Sequence, residues 1–379
     1  MMIPFLAFPF IQALVIILCF VRPLKKIPLW AKILLALVLG LGSLKIYIFI
    51  FTGGTLMDPK QSRVPAMIAD AFYFSSIFVF LLTLIRMIVN GIYKLSRFDK
   101  SKFIIPSSSI RYGFVILLLG YALGVKGVVN GFAPPIDKNY TITMQNLPKE
   151  AHGFKIALLA DLHISAPSTQ KEVVEIVNRT NALKPDLIVI AGDFVDGEID
   201  DLDFMTKELF KLNAKYGVYA VSGNHELYSG YKEWLDYFTN GGIKFLENKG
   251  TIIKDDNGTE LFNLCGVIDI SASRFNLPTA DIKAATKEAN PTLPNVFLTH
   301  QPKIAPQLND ISDLTLAGHT HGGLMPGLKQ IVAGANGGFV SGLYEVGRQR
   351  VIVSNGTRIW AGAPLRLNTP SELILIKLN

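Results

Sequence analysis

The chain has 379 residues, half of them hydrophobic, with 37 Lys and Arg against 30 Asp and Glu for a net charge of +7, and that length calls for two units rather than one. Residues 1–135 carry 14 basic and 3 acidic side chains, whereas residues 136–379 carry 23 and 27. The basicity therefore belongs to an apolar N-terminal part and gives little support to a nucleic-acid partner. Cys19 and Cys265 are the two cysteines, which implies no disulfide framework.

Four apolar runs come first, at about residues 3–21, 29–51, 67–92 and 112–129, each near the ~20 residues that cross a hydrocarbon core. Soluble helices keep a polar face and these show almost none. Residues 1–130 are thus predicted to be an all-α region of four transmembrane helices, making this a multi-pass integral membrane protein with the lipid bilayer as a partner. The first run lacks a basic leader and reads as a retained helix, not a cleaved signal.

Arg22, Lys25 and Lys26 separate runs one and two, and Lys94, Arg97, Lys100, Lys102 and Arg111, against Asp99, separate runs three and four. The loop over residues 52–66 holds Lys60 and Arg63 against Asp58. This asymmetry predicts cytoplasmic basic loops and an extracytoplasmic C-terminal part. Within the runs, Lys32 and Arg86 are expected to snorkel. Lys45 and Asp70 are expected to pair with each other, the other reading being contact with a lipid headgroup, and Gly120 with Gly124 gives a spacing suited to close helix packing.

A stiff connector over residues 131–139 contains Pro134 and Pro135. From residue 140 to 379 the pattern becomes strands alternating with helices. Residues 140–145 alternate as a strand, and 154–160, 187–191, 218–222, 261–267, 296–299, 314–317, 351–354 and 373–376 are short apolar runs of the buried kind. Thr169 with Glu172 predicts a capping box on a helix reaching about Leu183, which Pro185 ends. The segment 322–344 is glycine-rich and is expected to be loop. The pattern is that of a layered α/β domain.

Polar clusters follow the apolar strands. Asp161 and His163 follow one; Gly192, Asp193 and Asp196 the next; then Gly223, Asn224, His225 and Glu226; then His300; then His319 and His321. Of the six histidines only His152 lies elsewhere. Strand ends are where open α/β sheets build their sites. Alternate residues of an extended chain point the same way, and Gly322 and Gly323 allow a sharp turn, so His319 and His321 suit a metal.

Taken together, D-x-H, G-D-x-x-D, G-N-H-E, H and G-H-T-H resemble the calcineurin-like metallophosphoesterases over about residues 140–378. The resemblance implies a two-sheet α/β sandwich holding two divalent metal ions, with Mn, Fe and Zn all compatible with the donors. It implies Asp161, His163 and His321 on one ion, Asn224, His300 and His319 on the other, and Asp193 bridging. His225 would be the catalytic histidine and Asp196 a carboxylate that orients a neighbour. Arg358 and Arg366 are candidates for clamping a phosphate.

The expected function is hydrolysis of a phosphate monoester, diester or pyrophosphate bond in a phosphorylated or lipid-linked small molecule. Two other readings are a membrane protein that binds a phospholigand with little turnover and a transporter with a regulatory phosphoesterase-like domain. Oligomeric state is left open.

Overall fold

The computed structural model describes residues 3–95 and 105–379. The chain divides into one compact unit of Met1–Leu56 with Lys60–Asn130 and a second of Met57–Pro59 with Gly131–Asn379. Arg97, Asp99, Lys100 and Lys102 lie outside the described residues.

All four apolar runs of the first unit are helical, but they differ in span. Arg63–Leu95 and Ile110–Gly131 are long and apolar enough to cross a membrane. Leu29–Gly42 and Lys45–Phe51 pass that test only as a pair, bent by 64°. The first helix, Ile3–Val15, continues as a π-helix over Ile16–Val21, and its apolar stretch Leu6–Val21 is shorter than a full span. Lys45 and Asp70 form a buried ion pair.

The Gly120 and Gly124 spacing is used for close approach. A Cβ on Gly120 would lie 2.7 Å from Val79 Cγ2, and one on Gly124 would overlap the backbone nitrogen of Ser75. Arg86 departs from the expectation of snorkelling: it is 4 % exposed and its Nη2 donates to the Cys19 carbonyl oxygen at 2.5 Å. That carbonyl lies in the π-helical turn, where the ordinary helical ladder is interrupted and an outside donor finds a use.

The second unit contains twelve strands: β1 (Ile136–Ile142), β2 (Lys155–Leu159), β3 (Leu187–Ala191), β4 (Val218–Val221), β5 (Ile243–Phe245), β6 (Lys249–Lys254), β7 (Glu260–Gly266), β8 (Asn295–Leu298), β9 (Leu314–Ala317), β10 (Gly342–Val346), β11 (Gln349–Val353) and β12 (Glu372–Leu378). They form two six-stranded mixed sheets, ordered β1-β12-β2-β3-β4-β5 and β10-β11-β9-β8-β7-β6. Period-two alternation distributes each strand between two cores. Ile156 and Leu158 of β2 join Leu264, Leu298 and Leu316 of the other sheet in the core between the sheets. Ala157 and Leu159 face Val173, Ile176 and Trp234 on the helical side. Burial of both faces explains why these strands read as unbroken apolar runs.

Between β2 and β3 the helix Gln170–Ala182 starts with the expected capping box, Thr169 accepting from the Glu172 amide and Glu172 accepting from the Thr169 amide. The glycine-rich segment is not all loop. It contains the helix Lys329–Ala335 and the edge strand β10, which pairs antiparallel with β11. In β2-β3-β4 and in β7-β8-β9-β11 the pairings are parallel. Several loops that carry the candidate site residues therefore leave their sheets at the carboxyl ends of neighbouring strands.

Candidate metal centre

Those loops bring Asp161, His163, Asp193, Asn224, His225, His300, His319 and His321 into one cluster. His163 Nε2 lies 3.2 Å from His321 Nε2, 3.9 Å from Asp161 Oδ1 and 3.6 Å from Asp193 Oδ2. His300 Nε2 lies 3.1 Å from both Asp193 Oδ2 and His319 Nδ1, and 3.2 Å from Asn224 Oδ1. Two groups of donors result, Asp161 with His163 and His321, and Asp193 with His300 and His319, each compact enough to hold an ion. A third grouping, His163, Asp193 and His225, joins them.

The donor set fits metal ions on distance as well as chemistry. Bonds of ~2.0–2.2 Å to nitrogen and oxygen place adjacent donors roughly 3 to 3.5 Å apart. The ring nitrogens facing each other at 3.1 and 3.2 Å match that spacing. No proton need lie between them if both lone pairs point at a cation.

The backbone is strained where the cluster forms. Asp161, His163, Asp193, His319 and His321 all have left-handed φ angles, between 41° and 73°, a conformation that is rare outside glycine and tends to gather at functional sites. Hydrogen bonds enforce it. The His319 amide donates to both Asp161 carboxylate oxygens at 3.0 Å, and the His225 amide donates to Asp193 Oδ1 at 2.9 Å. Gly223 leaves room for this: a Cβ there would overlap the Asp193 carboxylate.

Burial dominates the protonation of the cluster. It pushes Asp161 up to about 6, with His300 pulling the other way. Burial and the charge of His300 hold His319 down at about 3, and burial, His163 and Arg366 hold His321 well below its ordinary value. Burial opposes ionisation of Asp193 too, but His300 and His225 outweigh it and keep this carboxyl well below the usual range. Neutral His319 and His321 beside an ionised Asp193 are in the forms that offer lone pairs to a cation. At His300, by contrast, burial is outweighed by Asp193, which holds the ring's pKa well up, so an ion bound there must displace the His300 proton.

Asp196 is fully buried between two rings, its Oδ1 3.1 Å from His163 Nδ1 and 2.5 Å from His225 Nδ1. It fixes both orientations, leaving each Nε2 to face the cluster. His225 is 7 % exposed, with Tyr228 and Trp360 against its ring.

Of the two arginines, Arg366 is placed differently from a phosphate clamp. Arg366 is buried and its Nη atoms donate to the carbonyl oxygens of His321, Asn355, Arg358 and Thr369 at 2.6 to 3.4 Å. It ties together the loops behind His321, and those bonds occupy the fork that would grip a phosphate. Arg358 donates to Ser168 Oγ at 2.7 Å and approaches Glu172 Oε2 at 3.3 Å.

Sequence reasoning gave no role to Glu226 or to the turn after β11. Glu226 is fully buried and accepts from the amides of Asp193, Phe194, Val195 and Gly223 at 2.7 to 3.3 Å, binding the β3 turn to the β4 turn. In the turn after β11, a Cβ on Gly356 would lie 2.9 Å from Asp161 Cβ and 3.2 Å from His321 Nδ1. The signal for that turn was present, since Asn355, Gly356 and Thr357 follow an apolar strand as the other clusters do.

Stacked mixed sheets with His and Asp donor groups at their strand ends define an α/β domain built to hold metal ions. A calcineurin-like phosphoesterase family model matches residues 154–323. The chain is 30% identical over 320 residues to a transmembrane protein with metallophosphoesterase domain from Danio rerio, covering 81% of this chain and 72% of that one. It is 33% identical over 272 residues to an uncharacterized metallophosphoesterase from Helicobacter pylori, covering 71% and 70%. A dimetal phosphatase of known structure from Danio rerio aligns over 54% of this chain and 88% of its own at 11% identity and a TM-score of 0.39, a likeness too slight to add weight. The chain belongs to the calcineurin-like metallophosphoesterase family.

Proposed function

We propose that this protein is a membrane-anchored phosphoesterase using two divalent metal ions, and that its substrate is a phosphate mono- or diester or a pyrophosphate attached to a membrane-associated molecule. The observation that carries the reading is the pair of His and Asp donor groups meeting at Asp193 beside His225. Asp161, His163 and His321 would hold one ion, Asn224, His300 and His319 the other, with Asp193 between them. The nitrogen and oxygen donors admit Mn, Fe or Zn alike. The chemistry such ions supply is polarisation of the phosphoryl oxygens and acidification of bound water.

The chain's own residues supply the rest. His225 Nε2 lies 4.0 Å from Asp193 Oδ2, on the rim of the cluster, while Asp196 holds Nδ1. The ring is thus aimed to deliver a proton. As the water oxygen bonds to phosphorus and the bond to the leaving oxygen breaks, that oxygen takes the His225 proton, and the proton shed by water restores the ring. The basic loops favour a catalytic unit outside the cytoplasm, with lipid-linked phosphates as the first substrates to assay.

The test is hydrolysis by the purified full-length protein, with Mn added, of mono- and diesters and lipid pyrophosphates. Turnover should require divalent metal and collapse in Asp193→Asn, with about two ions per wild-type chain. Full activity in metal-stripped protein would overturn the reading. Tight binding of a phosphorylated ligand with no turnover at any metal would favour the phospholigand-binding alternative.

A further inference from the structure

Beside His225 lies an aromatic surface whose rings take no part in holding metal, although the Tyr228 hydroxyl reaches the Asn224 side chain. Tyr228 stands three residues on in the short helix Asn224–Ser229, on the same face, its ring centroid 5.3 Å from that of His225. Phe275 lies 5.6 Å from Tyr228, at the end of the turn Ala272–Phe275. Trp360 meets His225 at 5.6 Å. Tyr228 and Phe275 are 42% and 40% exposed.

Packing holds these rings in place without covering them. Leu227, Ile268 and Ala272 form a small core with Tyr231 and Leu277, joining the Tyr228 helix to the Phe275 turn from beneath. Tyr228 and Phe275 are each more than half buried yet keep about two-fifths of their surface open. They give the proton donor an apolar flank that excludes water and offers a face to stack on.

Resting on the phosphoesterase reading above, we propose that Tyr228 and Phe275 form a shelf for the leaving group, and that the preferred leaving group carries a planar, apolar-faced ring within a bond or two of the ester oxygen. His225 gives its proton to the departing oxygen, so whatever is attached to that oxygen lies on the His225 side. Of the two rings against His225, Tyr228 is the one that continues to Phe275. A ring held close to the ester oxygen reaches it, and Phe275 extends the same surface to a second ring.

The test compares kcat/KM for 2-naphthylmethyl phosphate and cyclohexylmethyl phosphate, or for their methyl diesters, with the full-length protein and added Mn. The wild type should prefer the aromatic ester by about 3- to 10-fold, the range that aromatic pairing supplies. Phe275→Ala and Tyr228→Ala should each lower that ratio and the double variant bring it near one, whereas Tyr228→Phe should retain it. Phe275→Leu removes the ring while keeping the bulk, so the ratio can still be read where alanine destabilises the turn. A wild-type ratio near one, or an unchanged ratio in the double variant, overturns the shelf alone. Absence of turnover on every ester overturns the phosphoesterase reading with it. If the variants instead lose activity according to whether the substrate is embedded in vesicles, regardless of its ring, the rings belong to a membrane contact and the shelf is overturned.

Discussion

His225 carries opposed influences that set its protonation. Burial would lower its pKa, but Asp193 and Asp196 outweigh burial and hold it up at about 9. Cations bound at Asp193 would draw that value down toward neutrality, since like charges disfavour the protonated ring. A general acid works only while protonated, so turnover should fall as pH rises through this pKa. We expect a descending alkaline limb in kcat at or below about pH 9, and a loss of about 10² to 10⁴-fold in His225→Ala. The variant should keep its metals and lose that limb. A pH profile with metal analysis checks both, and a variant stripped of metal would make His225 a ligand instead, as its grouping with His163 and Asp193 would permit.

At the scale of elements, the turn from β4 into the helix Asn224–Ser229 is the part least tolerant of change. Gly223 fits against the Asp193 carboxylate, and Glu226 clamps the amides on both sides of that contact. Gly223→Ala should leave the sheets folded but displace Asp193. Displacing a positioned group by ~1 Å can cost about 10²-fold in rate. Activity with circular dichroism and metal content checks this, and wild-type turnover in the variant would show that the carboxylate adjusts freely. Part of this was legible in the sequence. β3 and β9 coincide with the apolar runs 187–191 and 314–317, because strands buried on both faces need continuous apolar residues. β5, β6 and β10 were missed: β5 and β10 are edge strands, β6 likewise ends its sheet, and Lys244, Lys249, Lys254 and Glu345 interrupt them. A strand with one free edge and a wet face leaves no such signature. The role of Glu226 was hidden for another reason, since it bonds to amides about 30 residues away in sequence. The Arg86 bond to a π-helical carbonyl is equally invisible to hydropathy.

For the whole molecule, orientation across the bilayer decides which substrates the catalytic unit can meet. The number of spans before Arg63 varies with how the bent pair and the short first helix are counted, yet the orientation does not depend on it. Arg63–Leu95 and Ile110–Gly131 both meet the length and hydropathy of a span. The sequence joining them holds Arg97, Lys100 and Lys102 against the single acid Asp99, with Lys94 in the last turn of the first helix and Arg111 in the first turn of the second. The positive-inside tendency predicts that such a loop is cytoplasmic. One span later comes Gly131 and the catalytic unit, which is therefore expected on the other side whatever precedes Arg63. Reporter fusions after Asn139, one active only in the cytoplasm and one only outside it, should give signal from the outer reporter alone. Neutralising Arg97, Lys100 and Lys102 together should weaken that bias, since these charges set it. A cytoplasm-only signal from the unaltered chain would reverse the orientation and move intracellular substrates, nucleotide-linked lipid precursors among them, ahead of outer-leaflet phosphates in the assay.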